Sequence, residues 1–287
     1  MKKMCRFCKS EQIVKKGFRK TENRGKIQRF ACKDCGHNFC LDKGFYRMRY
    51  DEKIVTRAID SYISSSSSRK MRDHLKRHDE TKVSHVTVLN WVRKYVLKVQ
   101  NYVDTLNPQI GGSCYADDTE IDRRGFKDHF WTCIDWDTRF INAIHYSSLS
   151  GYKEARRFLE KVTCKKLPKY IQTDAAKFYP KTFKKLFYSN KIKGLTVQHR
   201  VQNTLKTGKY NVRIETVFSK IKDRVKAFRG LKATWSAPIL LAGIILQHNY
   251  IEAHTTTGNI PCELTETQLQ IEDNRWLGLI RKAAEIR

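Results

Sequence analysis

Two cysteine pairs constrain this chain more than any other feature: Cys5-x2-Cys8, a gap of 23 residues, then Cys32-x2-Cys35. Each C-x-x-C lets a tight turn aim two thiolates at one point. Two such turns supply the four tetrahedral ligands that Zn²⁺ takes. Gly36, directly after the second pair, suits the positive φ that follows such a turn. The residues between the pairs read as two short strands around a turn at Asn23–Gly25. Residues 1–46 are therefore expected to form a zinc ribbon, with Cys5, Cys8, Cys32 and Cys35 as ligands and His37 and Cys40 as bystanders. So small a segment buries little apolar surface, so the metal supplies its folding energy. The other five of the nine cysteines are scattered singly. That pattern argues for a reducing compartment and one metal site rather than a disulfide framework.

The charge names a partner class. Lys and Arg total 57 against 29 Asp and Glu, a formal net charge of +28 spread over both halves of the 287 residues. An excess of this size points to a polyanion, nucleic acid before membrane. The start lacks the apolar core of a signal peptide. The longest apolar run, Ala237 to Leu246, is about half of what a bilayer crossing needs, so it reads as a buried helix. The expectation is a cytoplasmic protein with no membrane partner.

Residues 47–105 read as three helices. Asp51 is placed to cap the first, whose apolar face is Ile54, Val55, Ala58, Ile59, Tyr62 and Ile63. The second is short, with Met71 and Leu75 one turn apart. Ser84 caps the third, whose apolar face is Val88, Leu89, Val92, Tyr95 and Val96. A short second helix and a Ser-capped third describe a helix-turn-helix. The third helix leaves His85, Thr87, Asn90, Arg93 and Lys94 for DNA, residue types that meet base edges and phosphates.

Pro108, Gly111 and Gly112 mark a linker into the rest. From there the pattern is β-β-β-α-β-α-β-α, the order of an RNase H-like fold, in residues 112–265, followed by a C-terminal helix in 266–287. The first strand carries four acids in six residues: Asp117, Asp118, Glu120 and Asp122. Strands one and four of this topology are neighbours, so Asp117 can approach Asp174, at the end of the fourth strand. Glu215, at the start of the last helix, completes a set of three. Strand alternation turns Asp118, Glu120 and Asp122 to the opposite face, and a one-residue slip in register would exchange Asp118 for Asp117. Asp135 and Asp137 read as turn residues. Asp174 could instead cap the helix after it, and Glu215 could serve only the helix dipole. Carboxylates so gathered call for cations. Two Mg²⁺ (or Mn²⁺) ions would neutralise Asp117, Asp174 and Glu215 and serve phosphodiester chemistry.

At these residues the sequence resembles the DDE transposases of prokaryotic insertion sequences. The closest likeness is to the insertion-sequence-six-like branch, in an archaeal type with an N-terminal zinc ribbon. "YADDTEI" resembles that family's D-E-T motif, "IQTDAAKFYP" its second acidic motif, and "YNVRIETVFSKIKDRVKAFRGL" its I-E-R helix with the R-G-F that follows. "FWTCIDWDTRFINAIHYS" resembles its second and third strands, and "LQHNYIEAHTTTGNIPCE" its H-N-x-x-R-P-H ending. "VSHVTVLNWVRKY" is similar to its helix-turn-helix. The likeness covers residues 50–265. It implies that Asp117, Asp174 and Glu215 are the catalytic, Mg²⁺-binding triad. It also implies that Lys222 contacts transposon-end DNA.

The expectation is thus a transposase. It would bind double-stranded element ends, cut them in a metal-dependent reaction and join them to target DNA, as a homodimer or higher synaptic assembly. A DNA-binding regulator with an inactive catalytic body is the alternative. A structure-selective nuclease is a third, disfavoured by the presence of a sequence reader.

Overall fold

The computed structural model describes residues 3–21, 25–41, 43–64, 66–164, 166–202, 212–267 and 269–285. Asn23, in the expected ribbon turn, lies outside them. The N-terminal segment is a three-stranded antiparallel sheet, β1 (Ile13–Thr21), β2 (Gly25–Cys32) and β3 (Asn38–Cys40), in that order. β3 is a strand that the sequence pattern did not announce. Only three residues long, it pairs with β2 through Arg29–Cys40 to Ala31–Asn38 and buries Phe39 against Phe30. This sheet has a small core of its own, Cys5, Phe30, Cys32 and Phe39.

Three helices follow: α1 (Glu52–Ser64), α2 (Ser68–His78) and α3 (His85–Val103). Their starts are fixed by capping. The Lys53 amide donates to Asp51 Oδ1 at 2.8 Å, Lys70 N to Ser67 Oγ at 3.2 Å, and Thr87 N to Ser84 Oγ at 3.0 Å. The expected apolar faces are buried, but the buried face of α3 is longer than expected, running from Val88 through Trp91 and Val99 to Val103.

The third part is a five-stranded mixed sheet in the order β10-β7-β4-β5-β6. Its strands are β4 (Ser113–Arg123), β5 (Phe126–Asp135), β6 (Ile141–Ser147), β7 (Tyr170–Thr173) and β10 (Gln198–Val201); a two-residue hairpin, β8 (Tyr188–Ser189) with β9 (Gly194–Leu195), stands apart. β4, β5 and β6 form an antiparallel meander, and β7 and β10 add in parallel beside β4. Helices α4 (Tyr152–Thr163) and α5 (Phe178–Phe187) pack on Trp131 of β5 through Phe158, Phe178 and Tyr179. α6 (Val212–Ala227) packs on β4 and β5. This is the expected RNase H-like arrangement. β5 begins at Phe126, directly after a tight turn. Arg124 and Gly125, at φ 54° and 84°, make a two-residue turn with both φ positive. Such a turn matches the strand twist and lets pairing run up to Arg123–Phe126.

α7 (Ala237–Tyr250) is the expected buried apolar helix. It has no polar face to give to solvent, so every side must be covered. α1 and α3 cover one side, with Gly243 at the closest approach. A Cβ there would stand 2.7 Å from Ile63 Cδ1 and 3.1 Å from Val96 Cγ2. β6, an edge strand of the sheet, meets the other side. Asn249 accepts from Ile141 N at 2.9 Å and donates to Ile141 O at 2.8 Å, pairing an edge that would otherwise be bare. The segment of α1, α2 and α3 and the five-stranded sheet consequently share one continuous core, and the cuts near 105 and 265 do not separate hydrophobic units. Of the C-terminal segment, α9 (Arg275–Lys282) docks on α1 and α3, following the single turn α8 (Pro261–Leu264). Among the described residues, no helix is long and apolar enough to cross a membrane.

The Asn249 pairing gives a stability test. Asn249→Ala leaves one buried amide and one buried carbonyl of Ile141 without partners. The expected loss is about 2–4 kcal/mol, read as a lower urea midpoint of the main unfolding transition with unchanged slope.

Candidate functional site

The acids come together through sheet register. β4 and β7 run parallel, with Tyr115 opposite Gln172. Two residues further along each chain stand Asp117, on β4, and Asp174, one step beyond the end of β7. Asp117 is largely sheltered, whereas Asp174 and Glu215, in the first turn of α6, are exposed. Burial raises the Asp117 carboxyl to about 7, and the charges of Asp174, Asp118 and Glu215 push the same way. The Asp118 amide, donating to Asp117 Oδ1 at 2.9 Å, offsets only part of this. The displacement amounts to a penalty on the order of 4 kcal/mol against the ionised form. Three carboxyls from three distant segments thus interact around Asp117.

The alternatives for these acids now separate. Asp174 does not cap α5, whose N-cap residue is Lys177 with no side-chain cap; its Oδ1 instead accepts from Ala176 N at 3.1 Å. Asp118 points to the other face, where its Oδ2 meets His129 Nδ1 at 2.7 Å. Glu120 and Asp122 are exposed, and Asp122 Oδ1 accepts from Gly125 N in the β4–β5 turn. Asp135 is a turn residue, fully buried, with Oδ2 accepting from the amide and hydroxyl of Thr138 at 3.0 and 2.7 Å.

Two partners of the acids were not visible in the sequence. His129 reaches Asp118 diagonally across the β4–β5 pair, from the position opposite Glu120. The signal was the Arg124–Gly125 turn, which fixes that register. Tyr179 is fully buried on α5, and its hydroxyl has no hydrogen-bond partner among the described residues. Burial and the charges of Asp117, Asp118 and Asp174 hold that phenol well above its ordinary range.

The donor set around Asp117 is all hard carboxylate oxygen, with mutual repulsion that a cation would relieve, so it fits Mg²⁺ or Mn²⁺. The carboxylates are not drawn into one tight shell. Among the described residues, the four cysteines are the group whose ligand atoms all lie within 4.8 Å of one another. Spread acids suit a pair of ions better than a single one.

The cysteine site is compact. Cys5 Sγ and Cys35 Sγ are 3.6 Å apart, and Cys8 Sγ and Cys32 Sγ 3.5 Å. A tetrahedral ion with bonds of ~2.3 Å needs sulfur edges of about 3.8 Å. The two knuckles are equivalent: Lys9 N donates to Cys5 O at 3.0 Å and Gly36 N to Cys32 O at 3.1 Å. Lys9 and Gly36 both take positive φ, 63° and 71°. Burial works against the Cys5 thiolate, but the amides of Cys8 and Phe7 outweigh it and bring the thiol down to about 7. The amide of Cys35 lowers Cys32 in the same way, whereas burial and the neighbouring thiols push Cys8 up to about 12 and raise Cys35. These residues fit Zn²⁺. His37 stacks on Phe7 at 4.5 Å instead of facing the thiols.

The expected DNA-contacting residues differ in availability. Asn90 and Lys94 are exposed on α3, and His85 and Thr87 half-exposed. Lys94 Nζ donates to Tyr46 O at 3.4 Å. Arg93 is engaged within the chain, donating to Ser236 Oγ at 3.0 Å and lying 4.6 Å over the Trp235 ring. Lys222 is exposed seven residues after Glu215, two turns along the same face of α6.

Zinc removal tests the separation of the two cores. A chelator is expected to release one Zn²⁺ and expose four further thiols to a thiol reagent. The near-ultraviolet signal of the buried Trp91, Trp131 and Trp276 should persist. Simultaneous loss of both signals would mean that the ribbon and body unfold as one unit.

Residues 112–254 match the family model DDE_Tnp_IS240, described as a DDE domain. The match contains Asp117, Asp174 and Glu215. No curated protein matches the chain significantly. Among solved structures, the chain is similar to the HTLV-2 integrase catalytic core domain in complex with magnesium (trimeric form). The TM-score is 0.41 at 12% identity, over 56% of this chain and 98% of that one. It is also similar to a chain of the simian T-cell lymphotropic virus intasome in complex with PP2A regulatory subunit B56 gamma. There the TM-score is 0.43 at 11% identity, over 75% of this chain and 73% of that one.

Proposed function

From a DDE transposase domain over residues 112–254, we propose that this chain binds the double-stranded ends of a DNA element, cuts them and transfers them to target DNA. The observation that carries the reading is the β4–β7 register, which sets Asp117 and Asp174 two residues beyond a paired position on adjacent strands, with Glu215 in the first turn of the helix packed on β4. In this reading Asp117, Asp174 and Glu215 are the catalytic residues and hold two Mg²⁺ or Mn²⁺ ions. When bound, such ions supply activation of the attacking hydroxyl and charge relief at the leaving oxygen. The chain's own part is positional. The β4–β7 register fixes two carboxylates level with each other, and the first turn of α6 brings the third. The Asp118–His129 pair keeps a fourth acid turned away.

End recognition falls to α3 and the zinc ribbon. His85, Thr87, Asn90 and Lys94 face the duplex; Arg93, bonded to Ser236 and stacked on Trp235, links the reading helix to the catalytic body. Lys222 extends the contact along α6, on the face that carries Glu215. Two element ends must be held at once, so the working form is a homodimer or a higher assembly on cytoplasmic DNA. The insertion-sequence-six-like branch with its archaeal type of ribbon is the closest fit within the family.

The test is a strand-transfer assay with Mg²⁺ or Mn²⁺ on duplexes cut from the DNA flanking the gene. Asp117→Asn is expected to lower cleavage by at least a thousandfold while end binding persists. Cleavage retained by that variant would overturn the triad. Sequence-specific binding with no cleavage by the unmodified chain would instead identify a regulator. Asn90→Ala is expected to cost about 1–3 kcal/mol of end binding and to relax sequence preference. Lys222→Ala should weaken all duplexes alike and reduce the salt slope by about one.

A further inference from the structure

A large concavity lies away from the acids. It is a groove of about 1060 Å³ between the ribbon sheet and the segment 45–49. Six cations line it, Arg6, Arg19, Lys20 and Arg29 from the ribbon and Arg47 and Arg49 from the facing segment, and no acid does among the described residues. Two exposed rings stand among them, Phe7 at 55% and Tyr46 at 39% exposure. The Arg6 guanidinium lies 3.8 Å from the Tyr46 ring centroid, and Arg47 lies 5.3 Å from it.

The second wall is held firmly. Gly44, at φ 98°, passes so close to α9 that a Cβ would stand 2.7 Å from Ile280 O. Lys98 Nζ donates to Gly44 O at 2.9 Å, and the buried Phe45 ring lies 5.1 Å from Tyr95. Residues 44–46 are therefore bonded to α3 and α9, and the ribbon supplies the opposite wall. The groove is a space between two separately stabilised parts. At this size it exceeds the range of roughly 300–1,000 Å³ usual for small-ligand sites.

We propose that this groove holds a single-stranded stretch of DNA. The cations match a run of phosphates, and counterion release would drive binding. The rings and the Arg6–Tyr46–Arg47 stack offer flat faces to bases. Only unpaired bases have faces to offer, because a duplex stacks them inward and shows edges alone. Lys94 of α3 touches the Tyr46 carbonyl, so the groove continues from the duplex-reading surface. The groove thus receives strand that leaves the duplex held by α3. DNA as the polymer rests on the function proposed above; the single-strand preference rests on the groove alone.

The test uses the full zinc-loaded chain without added divalent ion, so that no cleavage enters. Fluorescence anisotropy follows a labelled dT15 strand and a dT15·dA15 duplex across KCl concentrations. Arg19→Ala/Arg29→Ala/Arg49→Ala is expected to weaken dT15 at least tenfold. Its salt slope should fall by about two, at about 0.7 for each phosphate no longer neutralised. The duplex should lose threefold or less. Tyr46→Ala is expected to weaken dT15 about five- to tenfold with an unchanged salt slope, and Tyr46→Trp to restore it. Tyr46 and Arg49 lie outside the cysteine knuckles, so Tyr46→Ala/Arg49→Ala tests the groove even if the triple variant loses its zinc. The same shifts are expected in an Asp117→Asn background, so an error in the catalytic assignment would leave them intact. Unchanged dT15 affinity in Tyr46→Ala/Arg49→Ala, or equal losses for strand and duplex, would overturn the proposal.

Discussion

Everything outside the ribbon depends on one helix that has no polar side. Ala237–Tyr250 must be covered all round, and among the described residues α1 and α3 cover it on one side and β6 on the other. The result is one core shared by the N-terminal helices and the five-stranded sheet. Gly243 lets α1 and α3 approach, and Asn249 ties the helix to the backbone of β6. α3 and the sheet that carries the acids are then fixed relative to each other by packing, not by the linker at residues 104–112.

The same rigidity explains how a costly cluster of acids survives. Asp117 is sheltered and flanked by like charge, which alone would favour its neutral form. A loose site would relax by turning the acids apart. Here Asp117 is held by pairing with Thr132 on β5, and the β4–β7 ladder ends two residues before it, at Tyr115 and Gln172. Trp131, opposite Asp118, packs edge to face on Tyr179 on the other face of the sheet. The repulsion is thereby retained as an affinity for cations.

What was legible in the sequence was local or periodic. The C-x-x-C pairs, the caps at Asp51 and Ser84, the apolar stripes and the order of strands and helices are set by neighbours in the chain. Even Asp117 and Asp174 were legible, because topology alone makes β4 and β7 adjacent. The rest depends on register and on distant packing. The start of β5 and the Asp118–His129 pair follow from Arg124 taking a positive φ, which nothing in its residue type announces. β3 is too short to carry a pattern. Arg93 looks like any exposed helix arginine until Ser236 and Trp235, more than 140 residues later, come to rest beside it. The shared core was hidden for the same reason. A linker rich in Pro and Gly marks a break in secondary structure, but not in packing.

The two parts of the molecule are stabilised by different physics. The body has a large apolar core, whereas the ribbon has four buried side chains and a ring of thiols. Metal binding can therefore set the ribbon's folding without touching the five-stranded sheet. The segment after the ribbon belongs to the body by its contacts: Phe45 is buried against Tyr95, and the Gly44 carbonyl is held by Lys98. The boundary between the two regimes thus falls before Gly44, along the basic groove. A cleft walled by two independently stabilised units can change width without unfolding either one. Its cations repel one another when it is empty, and a polyanion between the walls removes that repulsion. Charge and construction together suit this seam to the strand proposed for it.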